Sequence, residues 1–265
     1  LSNNTFTDTY TTIRDAINAN PNSTIVAEVN HGLNAQNAGL ELRNTRLIIF
    51  GNPALGTPVM QANQLAGIDL PQKMLVYEDS SQNVFVAFND TSYLAARHDV
   101  AAVETLPQIQ NALRNFAILG TDGTLETNEA TAISVGEGIV TITSTNDFPT
   151  TYNKLRSSIS NNANLQLMGE VNHRANAQTV GLELGSTSLL IFGNPTLGTP
   201  LMQNAQTTAL DLPQKMLVWE DEDSVVHISY NDPNYLMGRH NISENETILA
   251  QIREALDGLA TNAAN

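Results

Sequence analysis

The sequence predicts an α+β protein that contains two copies of one structural unit. About 41% of its residues are hydrophobic and 15% are charged, which is typical of a folded globular chain. A shift of 142 residues superposes residues 28–98 on residues 170–240 without a gap, and about 42 of these 71 positions are identical. Helical and β-rich patterns alternate within each copy. With 265 residues, the chain is long enough for two domains.

Each copy begins with an amphipathic helix. In the first copy, Phe6, Tyr10, Ile13 and Ile17 recur at helical spacing, and the second copy has apolar residues at the positions 142 later. The β-rich run "STIVAEVNH" follows. The segment "LNAQNAGLEL" predicts a short helix with Gly39 just past its end, where a left-handed residue is favoured.

A buried strand, a turn and a helix come next. The runs "TRLIIF" and "TSLLIF" are continuously apolar, as in central strands. The motif "FGNPALGTPVMQ" follows the first run and "FGNPTLGTPLMQ" the second. We expect Thr57 and Thr199 to be N-cap residues, because Pro58 and Pro200 would then occupy the first helical position.

The rest of each copy predicts a hairpin and a helix. "PQKMLVYED" and "VFVAFND" form the hairpin of the first copy across "SSQN", and the second copy matches it. Short helices follow Asp90 and Asp232 as caps. "VETLPQIQNALRNFAIL" is helical, "GTDGTLETNE" is a linker, and "ATAISVGEGIVTITST" is a hairpin that turns at residues 136–138. Since the counterpart of its second strand would lie ahead of residue 1, we expect the first copy to borrow Ala132–Val135 as a strand.

These boundaries divide the chain into a first repeat domain (1–118), a linker with the start of the hairpin (119–136) and a second repeat domain (137–265). The formal charge of −15 disfavours nucleic acid as a partner. No apolar stretch reaches the length of a membrane span. The absence of cysteine excludes disulfides and thiolate sites. The start "LSNNTFTDTY", without Met, leads us to expect an exported, periplasmic or secreted protein whose signal peptide has been removed.

Both copies resemble a known family. The segments "GLELRNTRLIIFGNPALGTPVMQ", "DLPQKMLVYED" and "FNDTSYLAARH", with their counterparts, resemble the bacterial and archaeal domain-of-unknown-function family 302. The resemblance implies half of a TATA-binding-protein-like saddle for each copy, an antiparallel sheet with helices on one face. It also implies that the two copies form an internal pseudo-dimer. It implies no established activity, cofactor or catalytic residue, so the cofactor stays unknown.

The repeated turn has two interpretations. In the structural one, its glycines and prolines shape the backbone and its threonine caps a helix. In the other, amides at the helix start bind an anion such as a carboxylate or phosphate. The motif lacks the Lys-Ser/Thr ending of a nucleotide-binding P-loop. The candidate anion-binding residues are Gly51, Asn52, Gly56, Thr57, Gly193, Asn194, Gly198 and Thr199.

Histidines, glutamates and basic residues that occur in both copies are the other candidates. Imidazole titrates near neutrality and binds metals, but no zinc-type spacing is present, so we assign no metal site. Each lysine is expected to form a salt bridge or to present its amine to a ligand, and each arginine to bind a carboxylate or to stabilise a helix end. The candidate ligand-binding residues are His31, Glu41, Lys73, Arg97, His98, His173, Glu183, Lys215, Arg239 and His240.

Three functions remain open. The first is a non-catalytic module that binds a ligand, such as a small anion, or a protein partner, since no catalytic motif is present. The second is metal-assisted or acid–base catalysis at His31, Glu41 and His98 or their counterparts. The third is a structural component of a larger assembly. We assign no catalytic residue, and the sequence favours the first function.

Overall fold

The structure is a computed structural model, and it describes residues 1–126 and 132–265. Two antiparallel sheets of four and five strands, each with its own helices, form an α+β protein, as the sequence predicted. The α-helices are α1 Phe6–Ala19, α2 His31–Asn37, α3 Pro53–Ala62, α4 Thr91–His98, α5 Leu106–Thr121, α6 Phe148–Ser160, α7 His173–Thr179, α8 Pro195–Asn204, α9 Pro233–His240 and α10 Glu246–Ala264. The strands are β1 Thr24–Asn30, β2 Thr45–Gly51, β3 Gln72–Glu78, β4 Val84–Ala87, β5 Ile139–Thr143, β6 Gln166–Asn172, β7 Thr187–Gly193, β8 Gln214–Glu220 and β9 Val226–Asn231.

The two sheets have matching topology. The first has the strand order β1-β2-β3-β4, and the second has the order β5-β9-β8-β7-β6. Both repeats have short 3₁₀ helices before the third strand, at Gln64–Ile68 and Gln206–Leu210. The first strand of each repeat has a bulge at the same place, at Val26 in β1 and at Met168 in β6. The register is therefore duplicated along with the sequence.

Alternate side chains of the central strands pack into two different apolar cores, one on each face of the sheet. In β2, Ile48 and Phe50 pack against α1 and α5. Leu47 and Ile49, between them, pack on the opposite face. Successive residues of a strand point to opposite faces, and in β2 both faces are buried. This explains why the run "TRLIIF" is apolar throughout.

The second face of each sheet holds the two repeats together. A single apolar cluster contains Leu47 and Leu75 from the first sheet and Leu189 and Leu217 from the second. Across the same boundary, α3 contacts α7 and α2 contacts α8. The two repeats therefore pack as an internal pseudo-dimer.

The helix in the repeated turn begins earlier than the sequence predicted. Asn52, not Thr57, is the N-cap of α3, and its side-chain oxygen accepts a hydrogen bond from Ala54 N–H at 3.0 Å. Pro53 occupies the first helical position, and Pro58 lies inside the helix. The second repeat has the same correction at its own cap. Thr57 thus lies inside the helix and is 1% exposed.

The predicted strand at Ala132–Val135 does not form. Residues 132–134 have no regular structure, and residues 135–138 make a turn, so the first sheet ends at β4. Gly136 N–H donates to the carbonyl of Arg97 at 2.8 Å, which holds the turn against α4 instead of along β4. Of the predicted hairpin, only β5 is a strand, and it pairs with β9. Residues 130 and 131 of that hairpin, and 127–129 of the linker, lie outside the described residues.

Over the two described ranges, the helices are all too short or too polar to cross a membrane.

Candidate functional site

The ten predicted ligand-binding side chains lie in three places. The lysines, the arginines and the two helix-end histidines form a cluster between the repeats, in which Arg239 and His240 are partly exposed and the others are buried. The two strand-end histidines, His31 and His173, line two clefts. Glu41 and Glu183 are exposed. The combination of His31, Glu41 and His98 is therefore not brought together, and the described part of the chain places no three His, Asp or Glu side chains where they could hold a metal ion.

The buried cluster is centred on two carboxylates that are related by the repeat. Asp69 Oδ2 lies 2.8 Å from both Arg97 Nη1 and His98 Nε2. All three side chains are fully buried, so these interactions are made without competition from water. The carboxylate that Arg97 binds thus belongs to the protein itself. We call the following residues the central cluster: Asp69, Lys73, Arg97, His98, Asp211, Lys215, Arg239 and His240.

The central cluster also connects one repeat to the other. Arg97 Nη2 donates to Asn231 Oδ1 at 2.8 Å, and Arg239 Nη2 donates to Asn89 Oδ1 at 2.5 Å. Lys73 Nζ lies 3.5 Å from Asp211 Oδ1 of the other repeat. Polar side chains of each repeat therefore have partners in the other, and these contacts fix how the two sheets are oriented.

The charged groups of the central cluster shift one another's pKa values. Arg97, His98 and Lys73 hold the pKa of Asp69 far below its usual range, although burial by itself would raise it. Burial, together with the neighbouring Lys73, lowers the pKa of Lys215 to about 7. Around these groups, Tyr93 OH and Tyr235 OH lie 3.1 Å apart across the repeat boundary.

Two clefts lie at equivalent places on the pseudo-dimer, and each is built from both repeats. Cleft 1 lies between the turn and helix at residues 50–57 of the first repeat and the start of α7, including His173, in the second. Cleft 2 lies between residues 192–199 and the start of α2, including His31. The conserved register of the duplication thus places the strand-end histidine of each repeat beside the turn of the other.

Three polar atoms without a hydrogen-bond partner among the described residues are buried in residues that line cleft 1. They are Thr57 Oγ1, Gln72 Nε2 and His173 Nε2. These side chains are 1%, 9% and 4% exposed. Buried polar atoms in proteins nearly always have partners, and leaving one unpaired costs about 1–3 kcal/mol. The corresponding atoms of Thr199, Gln214 and His31, which line cleft 2, are also buried without a hydrogen-bond partner among the described residues.

The two histidines are neutral at physiological pH. Burial lowers the pKa of His173 to about 4, although a backbone hydrogen bond with Gly67 offsets part of this effect. Burial likewise lowers the pKa of His31 to about 4. A neutral imidazole has one N–H donor and one acceptor nitrogen, so beside its bond with Gly67 the ring of His173 keeps one nitrogen that can accept a hydrogen bond.

The first-turn amides of α3 already have hydrogen-bond acceptors within the repeated turn. In the first turn of α3, Ala54 N–H donates to the Asn52 side chain, and Leu55 and Gly56 N–H donate to the Asn52 carbonyl. Pro53 has no N–H. Asn194 makes the corresponding three bonds in the second repeat. The turn residues therefore shape the cleft wall, and Thr57 is the member of the predicted anion-binding set whose polar atom is unpartnered there.

The walls of cleft 1 are mainly apolar. Met60, Leu70 and Leu113 line it together with the aromatic rings of Phe50 and Phe116. Glu170 is the charged side chain among its lining residues, and Arg156 neutralises it with hydrogen bonds of 2.8 and 2.9 Å. The lining of cleft 2 includes no charged side chain. Each cleft thus combines an apolar wall with a few polar atoms, as small-molecule sites do.

Sequence analysis did not include several of these residues among the predicted site residues, namely Gln72, Gln214, Asn89, Asn231, Asp69 and Asp211. Each of them is identical in the two copies, which could have pointed to a shared role. Because about 42 of 71 aligned positions are identical, however, identity between the copies does not distinguish these residues from the others.

The fold and the site define a tandem-repeat α+β protein with a buried polar interface and two clefts between its repeats. A family model described as "Domain of unknown function DUF302" matches residues 1–116 and 140–259, so the chain belongs to this family and contains two copies of the domain.

Similar proteins are known in both sequence and structure. The chain is 33% identical over 130 residues to "Fluoride-specific ion channel FluC 1" of Brucella suis biovar 1 (strain 1330), covering 49% of this chain and 51% of that protein. It is also 33% identical to the protein of that name from Brucella abortus biovar 1 (strain 9-941), covering 49% and 48%. The chain thus spans about half the length of these curated relatives. An uncharacterized conserved DUF302 protein from Bacillus stearothermophilus has a crystal structure that is similar with a TM-score of 0.44 at 18% identity, covering 49% of this chain and 99% of that one.

Proposed function

We propose that this protein is a non-catalytic module that binds an uncharged small molecule in cleft 1. The observation that carries the proposal is that Thr57, Gln72 and His173 all line one cleft and that each has a buried polar atom without a partner among the described residues. A ligand that satisfies all three would recover the cost of leaving them unpaired. The cavity volume of about 490 Å³ lies within the roughly 300–1,000 Å³ of typical ligand sites.

The polar atoms define the group that the ligand presents. The neutral His173 ring can accept a hydrogen bond, Gln72 Nε2 can donate one, and the Thr57 hydroxyl can do either. A ligand group that both donates and accepts, such as a hydroxyl or a primary amide, meets these requirements. The apolar wall then favours an aliphatic body attached to that group.

An uncharged ligand fits the cleft better than the small anion expected from the sequence. No Lys or Arg side chain belongs to the lining of cleft 1, and the first-turn amides of α3 are already bonded. A charged group that enters such an environment loses its hydration without gaining a charged partner.

The proposal is tested with primary amides of increasing length: butanamide, hexanamide and octanamide. Binding to isotopically labelled protein is followed by NMR titration, with sodium hexanoate, hexylammonium chloride and sodium fluoride as charged comparisons. We expect affinity to rise about fourfold for each added methylene until the cleft is full. We expect all three charged molecules to bind at least tenfold more weakly than hexanamide. Fluoride is included because the relatives are named as fluoride-specific ion channels.

A variant locates the site. Gln72→Leu removes the donor at nearly constant volume and is expected to weaken hexanamide binding about tenfold. Gln36→Leu, on the exposed face of α2, is the matched control and should leave binding unchanged. If hexanamide produces no saturable shifts at residues lining cleft 1, or if Gln72→Leu binds it as tightly as the wild type, the proposal is wrong.

A further inference from the structure

The two clefts have the same polar atoms but very different sizes. Cleft 1 has a volume of about 490 Å³ and cleft 2 a volume of about 70 Å³. The residues with unpartnered polar atoms are identical in the two clefts, whereas other lining positions differ between the repeats.

Two such positions place larger side chains in cleft 2. Ser23 and Val26 line cleft 1, and the positions 142 later, Leu165 and Met168, line cleft 2. Leu165 packs against the apolar core of the second repeat. In the last helix of each repeat the offset is 143, so Phe116 of cleft 1 corresponds to Leu259 of cleft 2, a change that by itself would enlarge cleft 2. The two larger side chains of cleft 2 lie at the start of β6, with Leu165 immediately before the strand and Met168 within it.

The bulge in β6 determines the direction of the Met168 side chain. Val26 and Met168 are the bulged residues of β1 and β6, and a bulge turns a side chain away from the regular alternation of a strand. The Met168 methyl carbon lies 3.5 Å from the position that a Cβ on Gly193 would occupy, directly over the repeated turn. At the equivalent Gly51, the atoms nearest to such a Cβ all belong to Pro71. Met168 thus covers in cleft 2 a part of the wall that Val26 leaves open in cleft 1.

We infer that Leu165 and Met168 are specificity-determining residues that fill cleft 2 with the protein's own aliphatic side chains, so that only cleft 1 takes the ligand. This inference rests on the proposed function of cleft 1. It also refines the chemistry of the ligand, whose body is aliphatic and occupies in cleft 1 the space that Leu165 and Met168 occupy in cleft 2.

Methionine side chains provide a reporter in each cleft. Met60 lines cleft 1 and Met202 lines cleft 2 at the equivalent position. With methyl-labelled methionine, hexanamide is added and the two methyl signals are followed by NMR. In the wild type, the Met60 signal is expected to shift and the Met202 signal to stay in place. Met74 and Met216, which are buried and line neither cleft, report whether the fold is intact.

Exchanging the two pairs of residues should exchange the behaviour of the clefts. In Leu165→Ser/Met168→Val, Met202 is expected to respond as well as Met60, with at least a tenfold gain in affinity at cleft 2. In Ser23→Leu/Val26→Met, the response of Met60 should weaken at least tenfold. Leu165→Ser alone is a milder variant that should give part of the gain if the double variant does not fold.

The outcomes separate this inference from the proposed function. If both methyl signals shift in the wild type, or if opening cleft 2 leaves Met202 silent while Met60 still responds, the inference is overturned and the function of cleft 1 stands. If neither signal responds to hexanamide in any of these proteins, the proposed function fails and the inference fails with it.

Discussion

The neutral histidines of the two clefts should make the protein less stable in mild acid. His31 and His173 each have a pKa of about 4 in the folded protein, against about 6.5 when exposed. Because each is a base with a lowered pKa, the unfolded chain binds more protons than the folded one between these two values. The free energy of unfolding therefore falls as the pH drops from about 6.5 towards 4, and this contribution is complete at higher pH. From pH 7 to pH 5, each histidine accounts for about 2 kcal/mol, or about 4 kcal/mol together.

Urea unfolding at pH 7 and pH 5 measures the effect. The double variant His31→Asn/His173→Asn removes both titrating groups, so its loss of stability over this interval should be about 4 kcal/mol smaller than that of the wild type. The comparison cancels the other titrating groups that the two proteins share. Parallel losses in the two proteins would refute the reasoning. As an independent check on the wild type alone, the ring signals of both histidines should move by only about a tenth of their full titration shift between pH 7 and pH 5, and a midpoint near 6.5 would contradict the burial argument.

Two further predictions concern stability and are measured by guanidinium unfolding. Asp69→Asn leaves the cations of the central cluster without their buried carboxylate and should lower the free energy of unfolding by about 3–5 kcal/mol. The control Asp15→Asn, at an exposed ion pair, should change it by less than about 0.5 kcal/mol. Equal effects of the two variants would contradict the role of Asp69 as the buried partner of these cations. Gly120→Ala places a Cβ 2.3 Å from Ile13 Cγ1 where α5 crosses α1, and should cost about 1–3 kcal/mol. Gly258→Ala in α10 meets no atom within 4 Å and should instead stabilise by up to about 1 kcal/mol, so a loss at both glycines would argue against close packing as the cause.

Most elements of this fold could be predicted from local patterns, but the strand expected at Ala132–Val135 and the cap of the helix in the repeated turn could not. Asn52 and Thr57 are both good N-cap residues, and each is followed by a proline. The two candidates are therefore equivalent in sequence terms. The structure begins the helix at the earlier one, which places Thr57 inside the helix, where it lines cleft 1.

The site was harder to predict because its partners come from different repeats. Arg97 was expected near a helix end or a carboxylate, and it binds Asp69 of its own repeat and Asn231 of the other. His173 and Thr57 line the same cleft although 116 positions separate them in the sequence (173 − 57). Patterns within one repeat carry no information about such contacts, since they depend on how the two sheets pack together.

Because each cleft is completed by a histidine from the other repeat, the duplication has a physical consequence. Two identical subunits related by a two-fold axis would form two identical clefts, since every residue that lines one also lines the other. Joining the repeats in one chain removes this constraint, and a change at position 165 or 168 then alters cleft 2 alone. The buried apolar face and the central cluster hold the two halves in the arrangement that both clefts need. One cleft can therefore become filled while the other stays open, without any change in how the repeats pack.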